Sequence, residues 1–348
     1  MINISEIIDY LKNYDGKEIV LMEVCGTHTA AISENGIPDM LSDKIRLVSG
    51  PGCPVCVTTS EYIDRLVELS LTENTCVVTF GDMIRVRGSK MSLRDAKAAG
   101  GSVEMVYSPL DMIELAKKHR DITYVFAAVG FETTTPIYGL VIEAAIENEL
   151  NNIKLLTALK TMPAAIETVY DMGKCIDGFI APGHVAVVTG SELFAPLADK
   201  LGIPFVVSGF SGEELLASIY ALVKNHGKGK VMNLYQNAVT DEGNTKAQEM
   251  TSKYFRSCTA YWRGIGAIEN SGMILRDEYK TFDAGSENLS GDVMINKGCS
   301  CGEVVAGIKS PTDCPLFGKI CTPSTPQGAC MVSTEGSCYH YYINKRGI

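Results

Sequence analysis

The sequence predicts an α/β protein: two open, mostly parallel-sheet domains facing one cleft, followed by a loop-rich C-terminal unit. Three observations carry this expectation. Short continuous apolar runs alternate with helical periodicity as far as about residue 245, the runs form two groups of four, and beyond them Gly, Pro, Cys and Ser dominate from Gly298 to Ser337. Continuous apolar strands between helices are the pattern of parallel sheets covered on both faces. A loop-rich unit without such a pattern needs something other than a core to hold it.

Residues 1–120 carry candidate strands Glu18–Val24, Ile45–Ser49, Thr75–Phe80 and Val103–Tyr107, with helical stretches Ser60–Ser70 and Pro109–Lys118. Residues 121–245 carry Thr123–Val129, Lys154–Leu159, Gly178–Ala181 and Pro204–Ser208, with helices over Pro136–Glu149, Pro163–Met172 and Gly212–Lys224. Residues 246–348 form the third unit, with the N-terminal helix as a candidate neighbour. The chain has 348 residues, a net charge of −10 and no basic run, which argues against a nucleic-acid partner. The acidic N-terminal stretch has no apolar signal core, and no run is long enough to span a bilayer, so the expectation is a cytoplasmic protein with reduced thiols and no membrane contact.

Six unusual loops follow the carboxyl ends of expected strands: CGTH, GPGCPVC, GDM, GFETTTP, PGHV and GF. In open parallel sheets that edge is where ligands bind. The chain has twelve cysteines. Cys53 and Cys56 form a CxxC ahead of a Thr/Ser cluster and a helical run. A helix N-terminus favours a thiolate, so a dithiol that cycles with a disulfide is expected. Half of a zinc site, completed by Cys25 and His28, is the alternative. In Cys25-Gly26-Thr27-His28 the pair could ligate a metal, or the imidazole could keep the thiol ionised. Glu132 is a candidate for proton transfer, with Thr134 or Thr135 capping the next helix and Pro136 at its first position. His184 and Asp82 are weaker candidates, with a hydrogen-bonded structural role and a turn cap as their respective alternatives.

Six cysteines crowd the tail: Cys299, Cys301, Cys314, Cys321, Cys330 and Cys338. Four thiolates can hold a [4Fe-4S] cluster; a four-cysteine zinc staple is the main alternative, and disulfides are disfavoured in a reducing compartment. Cys301, Cys314, Cys321 and Cys338 are the expected ligands, with Cys299 and Cys330 as extras.

Taken together, CGTH, LVSGPGCPVC, FGDM, GFETTTP, PGHV, WRGIG, the CxCG at Cys299–Gly302, LFGKICTP and CMVSTEGSC resemble the hydrogenase maturation factor HypD family along nearly the whole chain. The resemblance implies two α/β domains, a C-terminal [4Fe-4S] domain and a role in building the Fe(CN)2CO group of [NiFe]-hydrogenases. It implies a small HypC-type chaperone as partner, with a transient iron held between a chaperone thiol and Cys25. A HypE-type protein would deliver cyanide as a thiocyanate, and Cys53, Cys56 and the cluster would relay electrons. After PFVVSGF the chain departs from the family pattern, with Ser211-Gly212-Glu213 where an acidic residue and proline are usual. Judged by the residues alone, an iron–sulfur or thiol–disulfide oxidoreductase for a small molecule, or a redox or zinc binding module, competes with this role.

Overall fold

The structure is a computed structural model that describes residues 3–173, 175–289, 291–292 and 298–344. Eleven strands alternate with helices: β1 (Ile19–Glu23), β2 (Ile45–Ser49), β3 (Thr75–Thr79), β4 (Val103–Met105), β5 (Thr123–Gly130), β6 (Ile153–Lys160), β7 (Gly178–Ala181), β8 (Pro204–Val207), β9 (Lys230–Asn233), β10 (Phe255–Trp262) and β11 (Gly266–Leu275). They build two sheets. The first has order β2-β1-β7-β8-β9 and is parallel throughout; the second has order β10-β11-β6-β5-β3-β4 and is parallel except for the β10–β11 hairpin. The α/β class and mostly parallel sheets match the expectation. The buried runs of β5, β7 and β8 explain the pattern, since these strands are covered on both faces.

Sheet membership does not follow sequence order as expected. The first sheet takes β1 and β2 from the start of the chain and β7, β8 and β9 from beyond residue 178; the second takes β3 to β6 and then β10 and β11. The sheets therefore cut across the expected divisions at residues 120 and 245. Strand pattern also continues past 245, where the β10–β11 hairpin joins the second sheet through Gly272–Lys160 and Met273–Leu159 pairing. The N-terminal helix Ile4–Lys12 packs in the first sheet's layer rather than with the tail: Leu11 shares a core with Leu215 and Ile219, and Tyr10 meets Tyr220 edge-on at 5.1 Å.

The tail packs as short helical turns. Val304, Val305, Ala329, Met331 and Val332 are buried in the same apolar cluster as Cys53, Val55 and Cys56. Ser211-Gly212-Glu213 opens the Gly212–Lys224 helix with a capping box, Ser211 Oγ accepting from the Glu214 amide and the Glu214 carboxylate accepting from the Ser211 amide. Among the described residues, no helix is long and apolar enough to cross a membrane.

Candidate functional site

The CGTH loop leaves β1 and the GPGCPVC loop leaves the adjacent parallel strand β2, so their starts lie side by side. The two loops touch backbone to backbone: the Gly26 amide donates to Gly52 O at 3.1 Å. A Cβ on Gly52 would lie 2.3 Å from the Cys25 nitrogen, so only glycine admits this approach. Cys25 stands at the N-cap of the Gly26–Glu34 helix without a side-chain capping hydrogen bond, and the nearby Thr27 and His28 amides favour its thiolate. Burial outweighs these donors and pushes the thiol up to about 12.

The expected imidazole partner for Cys25 is not the His28 ring. That ring turns towards the β8 loop, where Nε2–H donates to Ser208 O and Gly209 O at 3.3 and 3.1 Å. Burial lowers it to about 4, so it is neutral, and Nδ1 has no partner among the described residues. Phe210 joins the two loop histidines, with its ring 4.7 Å from His28 and stacked 4.1 Å from His184. His184 is exposed, and partial burial lowers its ring.

Beneath Cys25 lies a group the sequence reading missed. Glu23 is 3% exposed; it accepts from the Cys25 amide at 2.9 Å and from the Thr29 hydroxyl. Burial pushes its carboxyl up to about 7. An acid at the end of a buried strand, two residues before a loop cysteine, was the signal available.

Cys53 and Cys56 are together, as expected of a CxxC, with the Cys56 amide donating to Cys53 Sγ at 3.2 Å. They do not sit at a helix N-terminus: the Ser60–Leu71 helix begins after an intervening turn, and its cap Thr59 makes no side-chain hydrogen bond. Burial pushes the Cys56 thiol up. Cys53 Sγ lies 3.4 Å from Ser333 Oγ of the tail.

Cys330, expected as an extra, is the junction. It lines a pocket with Cys53 and Cys56 and a void with the other tail cysteines, its sulfur accepts from the Cys338 amide at 3.3 Å, and the neighbouring Cys301, Cys338 and Cys56 thiols hold it well below the usual thiol range. All six tail cysteines line one small void with Val304, Phe317 and Met331. The adjacent Cys301 thiol holds Cys299 down to about 7. All twelve cysteines are free. Among the described residues, no three His, Cys, Asp or Glu side chains converge as ligands of a single metal ion. The void thus offers six soft donors behind apolar walls, a donor set that fits a thiolate-bound cluster.

Asp82 lies in the first turn of Gly81–Ile84 and acts electrostatically on Glu335, which lines a pocket with Gly26, Cys53, Cys56 and Cys330. Glu132 lines neither of the two pockets that hold the clustered thiols. Its Oε1 accepts from the Met162 amide at 2.8 Å, its Oε2 has no partner among the described residues, and burial pushes it up to about 7. Thr134 caps the next helix without a side-chain bond, with Pro136 in its first turn.

The family model HypD, described as "Hydrogenase formation hypA family", matches residues 3–345. The hydrogenase maturation factor HypD of Azotobacter vinelandii is 42% identical over 340 residues, covering 94% of this chain and 89% of the relative. That of Cupriavidus necator is 39% identical over 340 residues, covering 94% and 90%. That of Rhodobacter capsulatus is 38% identical over 349 residues, covering 97% and 93%. With a match of this extent over the loops that bear the thiols, the chain belongs to the HypD family.

Proposed function

We propose that this chain is a hydrogenase maturation factor that holds iron at Cys25 while cyanide and carbon monoxide are added, together with a small HypC-type chaperone and a HypE-type cyanide donor. Family membership supports the maturation role. The observation that carries the redox part is the placement of Cys330, which lines one pocket with Cys53 and Cys56 and one void with Cys301 and Cys338. Compartment follows from this reading: exchangeable free thiols belong in a reducing cytoplasm.

The chain's own residues supply three things. Cys25 presents a soft sulfur at the start of the Gly26–Glu34 helix to the iron that is the cargo. Releasing cyanide from a thiocyanate leaves the donor's sulfur as thiolate and takes up two electrons. Cys53 and Cys56 provide them by closing a disulfide with loss of two protons. The Cys330 thiolate, which shares a pocket with Cys56, then attacks the Cys56 sulfur and releases Cys53; attack by Cys301 on Cys330 releases Cys56 and leaves a Cys301–Cys330 disulfide that two electrons reopen. A [4Fe-4S] cluster in the tail void, held by Cys314, Cys321, Cys338 and either Cys301 or Cys299, would supply single electrons there. Cys299 rivals Cys301 for the fourth place because it lines the same void.

Anaerobic co-purification with the small chaperone tests the reading. The Cys25→Ala variant should keep about four tail irons per chain and lose the further iron of the complex. Full loading of that further iron in the variant would overturn Cys25 as its ligand. Cys299→Ala and Cys301→Ala, compared for cluster iron and sulfide, identify the fourth ligand.

A further inference from the structure

Ser333 is fully buried in the tail. Its backbone is fixed on both sides: the amide donates to Ala329 O at 3.2 Å, and the carbonyl accepts from the Gly336 amide at 3.0 Å. Its Oγ accepts from the Glu335 amide at 3.2 Å, which sets the direction of the side chain. The same oxygen lies 3.4 Å from Cys53 Sγ, so the tail and the CxxC loop meet side chain to side chain.

The two CxxC sulfurs therefore have different surroundings. Cys53 Sγ accepts from the Cys56 amide at 3.2 Å and also meets the Ser333 hydroxyl. Cys56 is pushed up by burial and then by the neighbouring Cys330 and Cys53 thiols, so it keeps its proton. A hydroxyl carries one proton and two lone pairs and rotates to suit its neighbour. Facing a Cys53 thiol, Oγ accepts from the S–H. Facing a Cys53 thiolate, the O–H turns and donates to the sulfur, and a bond to an ionised partner is roughly twice as strong as a neutral one. Facing a Cys53–Cys56 disulfide, it meets a sulfur with neither proton nor charge. The hydroxyl thus favours the open dithiol over the closed disulfide in either proton state of Cys53.

We propose that Ser333 selects Cys53 as the sulfur released when the Cys53–Cys56 disulfide is reopened, by donating its hydroxyl to the leaving thiolate. The proposal rests on the redox role given above to these thiols and deepens it. The Cys330 thiolate bonds to Cys56 Sγ, the Cys53–Cys56 bond breaks, and its electron pair stays on Cys53, where the Ser333 hydroxyl and the Cys56 amide meet it. A better-stabilised thiolate leaves faster. A residue of the tail thereby sets the direction in which oxidation leaves the CxxC.

The full-length protein, purified anaerobically, is equilibrated with reduced and oxidised dithiothreitol at graded ratios, quenched in acid, alkylated and mapped by mass spectrometry. In Ser333→Ala the dithiol-to-disulfide constant of the Cys53–Cys56 pair should fall about three- to ten-fold. Ser333→Thr, which keeps a hydroxyl, should recover it. The same maps should show Cys330 joined chiefly to Cys56 in the parent, with a several-fold larger share joined to Cys53 in Ser333→Ala. A constant unchanged in Ser333→Ala, or lowered equally in Ser333→Thr, overturns the proposal. So does Cys330 joined chiefly to Cys53 in the parent, a result that stands even if the alanine variant does not fold. Absence of any Cys53–Cys56 disulfide in the parent would instead overturn the redox role itself, and the proposal with it.

Discussion

Glu132 gives one carboxyl oxygen to a backbone amide and leaves the other unpartnered, and burial lifts its pKa from 4.5 to about 7. Glu23 is lifted to about the same value, again chiefly by burial. A carboxyl whose folded pKa exceeds its unfolded value contributes stability that is full below about pH 4.5 and is lost as pH rises through about 7. His28 works in the other direction. Its ring falls from 6.5 to about 4, so its contribution is present above about pH 6.5 and is lost as pH falls through 4. Two carboxyls against one imidazole leave a net fall in stability, of a few kcal/mol, as pH rises from about 4.5 to 7. Glu132→Gln keeps an acceptor for the Met162 amide and removes one of the opposing ionisations. It should remove most of that slope, because Glu23 and His28 then nearly cancel, and raise stability at pH 8 relative to the parent. Denaturant unfolding at pH 5 and pH 8 checks this, and an unaltered slope in the variant would sink the assignment.

The β10–β11 hairpin brings the WRGIG turn between the CxxC loop and the Cys301 turn of the tail. The Arg263 amide donates to Val57 O at 2.8 Å, just beyond the CxxC. Trp262, 1% exposed, donates to Ser271 Oγ and stacks on Phe131 with centroids 6.0 Å apart. Gly264 has φ of 74°, and a Cβ there would lie 2.2 Å from the Gly302 Cα, beside Cys301. Gly264→Ala should cost about 1–3 kcal/mol and lower tail iron content, because relief of the clash moves the Cys301–Val305 helix. Trp262→Ala should cost about 3–5 kcal/mol without that selective effect on iron. Unfolding midpoints read beside iron analysis separate the two; equal iron loss at equal destabilisation would refute a local clash. This hairpin was not legible in the sequence. The residues of β10 alternate between half-buried and exposed between two buried ends, so continuous apolar runs, the signal for the parallel strands, do not mark it.

Across the whole molecule, what was legible is what a residue run determines by itself. The β2, β7 and Gly212–Lys224 boundaries match the expectation because apolar length and flanking glycines set them locally. Strand order was not legible: the apolar run of β7 says that it is buried, and nothing in it says that β1 and β8 are its neighbours. For the same reason the loops of the site could be read off strand ends, whereas the place of Cys330 could not. Its place beside Cys56 exists only because the tail folds back over the CxxC loop.

That fold-back makes the front thiols dependent on the tail. Cys56 is 2% exposed, and Val305, Cys330 and Glu335 help to cover the pocket it lines. The tail contributes short turns rather than long helices or strands, so thiolate–metal bonds would supply much of what fixes it. Anaerobic removal of iron should therefore leave the two sheets folded while opening the tail locally. Far-ultraviolet dichroism should change little, protease cuts should concentrate in residues 298–344, and alkylation of Cys56 should speed up by at least about ten-fold. Cys76, 3% exposed between β4 and β5 on the far side of the second sheet, is the internal control and should stay protected. Equal exposure of Cys56 and Cys76 would mean that the sheets melt with the tail. Unchanged protection of both would mean that the tail stands without metal, and the cluster would lose its structural role.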